Sequence, residues 1–144
     1  MEDYQIAFMQ RHINTDTLCQ SRRKVAAMHF GGVTIECLLK AMILSNLPKD
    51  ASREWKTDVN NPRHTITNPG HSYIEALKRH NRLKSRIDKF RQVTIWLSEV
   101  ENPNSHNFID IRYSGLEPDD ESYKRWSNAY RSLSQWLQKQ ATQL

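Results

Sequence analysis

Glycine and proline are scarce in this chain, four and five in 144 residues, and cysteine is scarcer still, with two. No run of alternating apolar and polar residues stands out, so strands are not expected and the chain reads as helical throughout. Cys19 and Cys37 cannot build a disulfide framework, neither belongs to a Cys-x-x-Cys pair, and both read as small core residues. The six histidines, His12, His29, His64, His71, His80 and His106, include no His-x-x-x-His or HExxH arrangement and have no cysteine at ligand spacing, so no metal site is expected. No Walker loop, G-x-G-x-x-G or G-x-S-x-G occurs, which sets aside nucleotide hydrolysis, dinucleotide chemistry and serine esterase work. The longest apolar stretch, Cys37 to Leu44, is interrupted by Lys40 and falls short of the roughly 20 residues that a bilayer span needs. The amino terminus, Met-Glu-Asp, lacks a basic segment followed by an apolar one, so the expected location is the cytoplasm and no cofactor is implied.

What remains is the composition of one polar globular domain spanning residues 1–144. Hydrophobic residues make up 38%, charged residues 26%, and the mean hydropathy is -0.78. Twenty-one Lys and Arg against sixteen Asp and Glu give a net charge of +5 and a pI near 9.4, which favours a polyanionic partner without requiring one.

The helical period organises the chain. Tyr4, Ala7, Phe8, Arg11, Thr15 and Leu18 form a loose stripe for a first helix between Glu2 and about Arg22, with a possible restart at Asn14 or Asp16. Ala26, Phe30, Val33, Cys37, Ala41 and Leu44 mark a central core helix that Pro48 should stop near Leu47. Residues 49–72 turn polar, with Pro62, Pro69 and Gly70, and read as a long loop. Ser72 then suits an N-cap with Glu75 at the third position, opening a helix whose apolar side is Ile74, Leu77, Leu83, Ile87, Phe90 and Leu97. Glu101 to Asp110 must break it. A last helix from about Asp119 carries Tyr123, Trp126, Tyr130, Leu133 and Leu137 as a heptad-like seam that needs a partner.

Between Lys78 and Arg91 lie seven Lys or Arg and one acid, Asp88. On one continuous helix, Arg79, Arg82, Arg86 and Lys89 make a stripe, with Lys84 and Arg91 on the other flank of an apolar face formed by Leu83, Ile87 and Phe90. Such rows can track phosphates; equally, they can be a solvated surface whose long side chains cover the core edge. Gly31 and Gly32 in the middle of the second helix each cost about 1 kcal/mol relative to alanine, so a close approach, within the bundle or across a dimer, should compensate. Glu36 and Lys40 follow as an i,i+4 pair.

The run Ala27-Met-His-Phe-Gly-Gly-Val-Thr-Ile-Glu-Cys-Leu-Leu-Lys-Ala41 resembles the second helix of HEPN-domain proteins, with Gly31, Gly32, Glu36 and Lys40 at the matching places. Gly70-His71-Ser72 is similar to the Gly-His-Asp opening that family's third helix, and Trp96, Arg112-Tyr113-Ser114 and a final helix ending in Trp-Leu extend the likeness over nearly the whole chain. The resemblance implies an all-α, up-and-down bundle of four to five helices, a homodimer, and a place in prokaryotic defence or toxin-antitoxin systems. A cognate antitoxin, a nucleotidyltransferase or another defence protein would be its partner. Many such proteins are metal-independent ribonucleases in which an Arg is followed four to six residues later by His. The His would move the proton and the Arg would stabilise transition-state charge.

This sequence departs from that mark. Tyr-Ser-Gly-Leu-Glu-Pro follows Arg112, and no histidine occurs after it. His106 precedes Arg112 by six, and the forward matches, Arg22 and Arg23 to His29, read as coincidence. Val33 also replaces the aromatic residue usual after the Gly step. The expected function is therefore a non-catalytic module binding RNA or DNA, or a partner protein, with the basic row Arg79, Arg82, Lys84, Arg86, Lys89 and Arg91 on phosphates. One alternative is a ribonuclease using Arg112 with a relocated His106, His71 or His29. Another is a pure protein-protein adaptor, which predicts an exposed apolar patch near Tyr123, Trp126 and Tyr130. Without such roles, Arg112 would cap a helix or pair with Glu36 or Asp110, Tyr113 would be a core aromatic, and His71 would satisfy a loop carbonyl.

Overall fold

In a computed structural model, the described residues are 3–47, 70–115 and 117–143, together with the backbone of 55–56 and 66–67. Asp3 starts helix α1 (Tyr4–Gln20) by accepting the Ile6 N–H at 3.0 Å. The helix runs unbroken through Asn14 and Asp16, without the restart that those residues suggest. After a three-residue turn comes α2 (Lys24–Ser45), which packs along α1 and carries thirteen buried residues. By length and composition α2 is the one helix among the described residues that could cross a membrane, but it is 72% buried under the other helices. Most of the 49–72 loop lies outside the described residues; Trp55–Lys56 and Ile66–Thr67 pair there in a two-residue parallel ladder.

The helix expected from Tyr73 to Leu97 is three helices: α3 (Tyr73–Leu77), α4 (Asn81–Asp88) and α5 (Arg91–Glu101). Both breaks fall where the buried apolar residues step by six, from Leu77 to Leu83 and from Ile87 to Val93. Six residues rotate a helix by about 600°, which on one continuous helix would set the two apolar groups of each step about 120° apart. Breaking the chain twice lets all three helices bury their apolar sides. Ile74 and Phe90, assigned to the apolar face of one long helix, are instead 62% and 54% exposed. Ser72 caps α3 as its position suggests, accepting from the Glu75 N–H at 3.2 Å, while the Glu75 carboxylate takes Lys78 instead of closing the box.

The cap of α4 is His80, whose Nδ1 accepts the Leu83 N–H at 3.2 Å while the residue is only 1% exposed. Burial pushes the imidazole below its ordinary value of 6.5, with Arg82 and Arg86 adding to the shift. The folded state thus binds fewer protons than the unfolded chain, and stability is lost as pH falls from 6.5 through the lowered folded pKa. Thermal unfolding followed at pH 7.5 and 5.5 should show this loss in the wild type and a smaller one in His80→Asn, which keeps a capping oxygen but does not titrate.

Helix α6 (Asp120–Ala141) starts on Asp119, which accepts the Ser122 N–H at 2.7 Å, with Asp120 and Glu121 in its first turn. Its seam closes the core: Trp126, Leu133 and Leu137 are 0% exposed and Tyr130 1%. The apolar patch that an adaptor would present at Tyr123, Trp126 and Tyr130 is therefore not on the surface. Trp126 and Tyr130 are buried and Tyr123 is half-buried, because α5 and α2 supply the partner that the seam needs. The two glycines explain how. A Cβ on Gly31 would come within 2.5 Å of the Trp126 ring, and one on Gly32 would land inside the Phe108 side chain. The close approach is intramolecular.

Candidate functional site

The basic segment is the first candidate. Seven cations against Asp88 give residues 78–91 a net charge of +6, so the chain total of +5 leaves -1 for the other 130 residues. The stripe drawn on one continuous helix does not exist, since Arg79 lies between α3 and α4 and Arg91 opens α5. What forms instead is an arc over two bends. Four of its cations have partners: Lys78 on Glu75 at 2.7 Å, Arg79 on the Glu75 backbone carbonyl, Lys84 on Asp88 at 3.1 Å, and Arg86 on Gln140 Oε1 at 2.8 Å. Arg82, Lys89 and Arg91 are exposed and, among the described residues, have no acid partner. The arc thus divides into cations that hold α3 and α4 in place and three that face solvent with their charge uncompensated.

The second candidate joins residues 35 positions apart. Glu36, one turn beyond the glycines on α2, accepts a hydrogen bond from His71 Nδ1 at 2.7 Å and lies 3.6 Å from Lys40 Nζ. The Glu36 and Lys40 side chains are 11% and 6% exposed, whereas that of His71 is 57% exposed. With Nδ1 donating to the carboxylate, Nε2 of the neutral ring would be the acceptor nitrogen, and it has no hydrogen-bond partner among the described residues. Lys40 also sits 5.5 Å from the centre of the Tyr4 ring. Beneath this surface pair, the Tyr73 hydroxyl donates to the Gly32 carbonyl at 2.7 Å and the Tyr73 N–H donates to Glu101 Oε2 at 2.7 Å. Burial, reinforced by Glu36 and Glu101, holds the Tyr73 hydroxyl firmly protonated, and burial raises the Glu101 carboxyl against the opposing effect of that N–H. The cluster presents an oriented imidazole on a rigid, half-buried carboxylate, an arrangement able to take up or deliver a proton.

Among the described residues, none of the remaining site residues is hydrogen-bonded to Glu36 or His71. Arg112 stacks on Tyr113 at 4.8 Å, and both are exposed; among the described residues Arg112 pairs with neither Glu36 nor Asp110 and caps nothing. Tyr113, at 76% exposure, is no core aromatic. His106 Nδ1 donates locally to the Asn104 carbonyl at 2.9 Å, and His29 Nδ1 to the Phe108 carbonyl at 2.9 Å. His71 is paired to a carboxylate, not a loop carbonyl. Phe108 is the nearest link between these groups: its ring meets His71 edge-on with centroids 6.3 Å apart, and Arg112 follows it by four residues. Tyr73, Glu101 and Phe108 were not legible as members of this cluster. Glu101 reads from the sequence as the start of a polar break, and nothing local signals that its carboxylate turns inward. Among the described residues no three His, Cys, Asp or Glu side chains converge as a metal site would require.

No protein-family profile, curated protein or solved structure matches this chain.

Proposed function

We propose that this chain is a HEPN-like helical module that binds the backbone of a nucleic acid, RNA or DNA, in a prokaryotic defence or toxin-antitoxin setting and without catalysis of its own. The observation that carries the reading is the concentration of charge: +6 in fourteen residues, with Arg82, Lys89 and Arg91 exposed and uncompensated while the rest of the chain sums to -1. An evenly spread excess would only aid solubility; a local one raises the potential where a polyanion can lie. Ile6, Met9 and Ile13, all more than half exposed on one side of α1, are where a second copy would pack in the homodimer that the HEPN likeness implies. The test is a titration of single-stranded RNA at a series of salt concentrations. Three phosphate contacts should give log K a slope of about -2 against log salt. Affinity indifferent to salt would exclude the reading.

A second reading, a metal-independent ribonuclease, is favoured by one observation, the exposed His71 imidazole oriented by Glu36. It expects RNA cleavage in EDTA that His71→Ala and Arg112→Ala each abolish. The leading reading expects binding with no cleavage in the wild type.

A further inference from the structure

Helix α1 ends in the pattern that closes a helix on a left-handed residue. The Arg23 N–H bonds the Leu18 carbonyl at 3.0 Å, and the Arg22 N–H bonds the Cys19 carbonyl at 3.2 Å. Glycine is usual at this position because a Cβ there crowds the backbone, yet this chain places Arg22 at φ 55°. A strained residue that glycine could replace without loss of the turn points to a use for its side chain.

That side chain lines an open cavity of about 450 Å³ between the end of α1, the start of α2 and the first half of α6. Lys24, Lys124 and Arg131 line it too, against one acid, Asp120. Lys24 is already held, 2.8 Å from Asp120 Oδ1 and 3.0 Å from the Pro118 carbonyl. Arg22, Lys124 and Arg131 have no acid partner among the described residues. The two other titratable groups of the wall add no negative charge: burial raises both the Cys19 thiol and the Tyr123 hydroxyl, so each stays protonated. The cavity wall therefore carries four positive charges against the single carboxylate of Asp120, whose pKa is lowered by Lys24 and, to a lesser degree, by Arg22.

We propose that this cavity binds the phosphate monoester of a ligand of nucleotide size, with Arg22 and Arg131 as guanidinium forks and Lys124 as a point charge. A carboxylate would balance one charge of the three, whereas a phosphate monoester carries about -1.5 to -2 at neutral pH and offers three acceptor oxygens to planar forks. The volume falls within the roughly 300–1,000 Å³ of small-molecule sites, leaving room for more than the phosphate itself. The residues differ from those of the α4 arc, so the two proposals stand or fall separately.

The experiment is calorimetric titration and thermal shift of the full chain with inorganic phosphate, a nucleoside 5′-monophosphate and a short 5′-phosphorylated RNA, with chloride at equal ionic strength as control. Wild type should bind the phosphate probes, and Arg22→Gly and Arg131→Ala should each weaken binding at least tenfold. Without ligand, Arg22→Gly should unfold at a higher temperature than wild type, since it relieves the backbone; its loss of affinity then cannot be a folding defect. Lys139→Glu, an exposed change near the far end of α6, should bind as wild type does. Tighter binding of the 5′-phosphorylated RNA than of the same RNA with a 5′-hydroxyl, lost in Arg22→Gly, assigns a strand end; binding of the monophosphate without that difference assigns a free nucleotide. A wild type that phosphate stabilises no more than chloride, or Arg22→Gly and Arg131→Ala variants with unchanged affinity, would overturn the proposal.

Discussion

Reversing Arg82, Lys89 and Arg91 to Glu together should lower affinity for single-stranded RNA by about 10² to 10³-fold at low salt and flatten its salt dependence. The three side chains are exposed and, among the described residues, pair with no acid, so the reversal breaks no ion pair there. Surface changes of that kind shift stability by about 0.5 kcal/mol or less apiece. The remaining cations of the arc differ in kind. Arg86 holds Gln140 of α6, and Lys84 and Lys78 pair with Asp88 and Glu75, so replacing those would mix a binding effect with a folding one. Circular dichroism and filter binding on the same preparation separate the two. A triple variant that keeps affinity within threefold of wild type would mean that the arc is only the solvated edge of the core.

Gly32→Ala should destabilise the protein by about 2 kcal/mol, even though alanine is the better helix former by about 1 kcal/mol. The added methyl would meet Cβ, Cγ and Cδ2 of Phe108, atoms next to the backbone that cannot swing aside as the end of a long side chain can. Phe108 is 0% exposed, stacked on Tyr73 at 5.4 Å, and tied to Glu101 through its N–H at 2.9 Å, so moving it disturbs the floor of the Glu36 and His71 cluster. Thermal unfolding should fall by roughly 5–10 °C for a domain of this size. Gly31→Ala should cost less, because the Cβ meets the rim of the Trp126 indole. If Gly32→Ala instead raised the melting temperature, the glycine would be free of Phe108, and a contact with another molecule would have to explain it.

The sequence by itself determined the three long helices. Asp119 caps α6, the acids of its first turn complement its dipole, and the 3.6-residue recurrence on α6 names residues that are buried, whereas of the stripe read on α2 Cys37 and Leu44 are buried and Ala26, Phe30, Val33 and Ala41 only partly so. Each of these signals acts within about four residues along the chain, which is why composition and spacing suffice to read them. The density of cations from Lys78 to Arg91 and the cost of two mid-helix glycines were legible for the same reason. Only the tertiary structure decided what those features serve. It broke the expected Tyr73 to Leu97 helix twice to seat three apolar faces, assigned the glycines to Trp126 and Phe108, and brought His71 to Glu36. It also separated the cations that brace α3 and α4 from the three left free. Apart from the local pairs of Lys78 and Arg79 with Glu75 and of Lys84 with Asp88, those outcomes depend on partners from tens to about a hundred positions away. A residue's local sequence carries its preference for a helix, but the identity of the atom it meets across the core is fixed only when the helices pack.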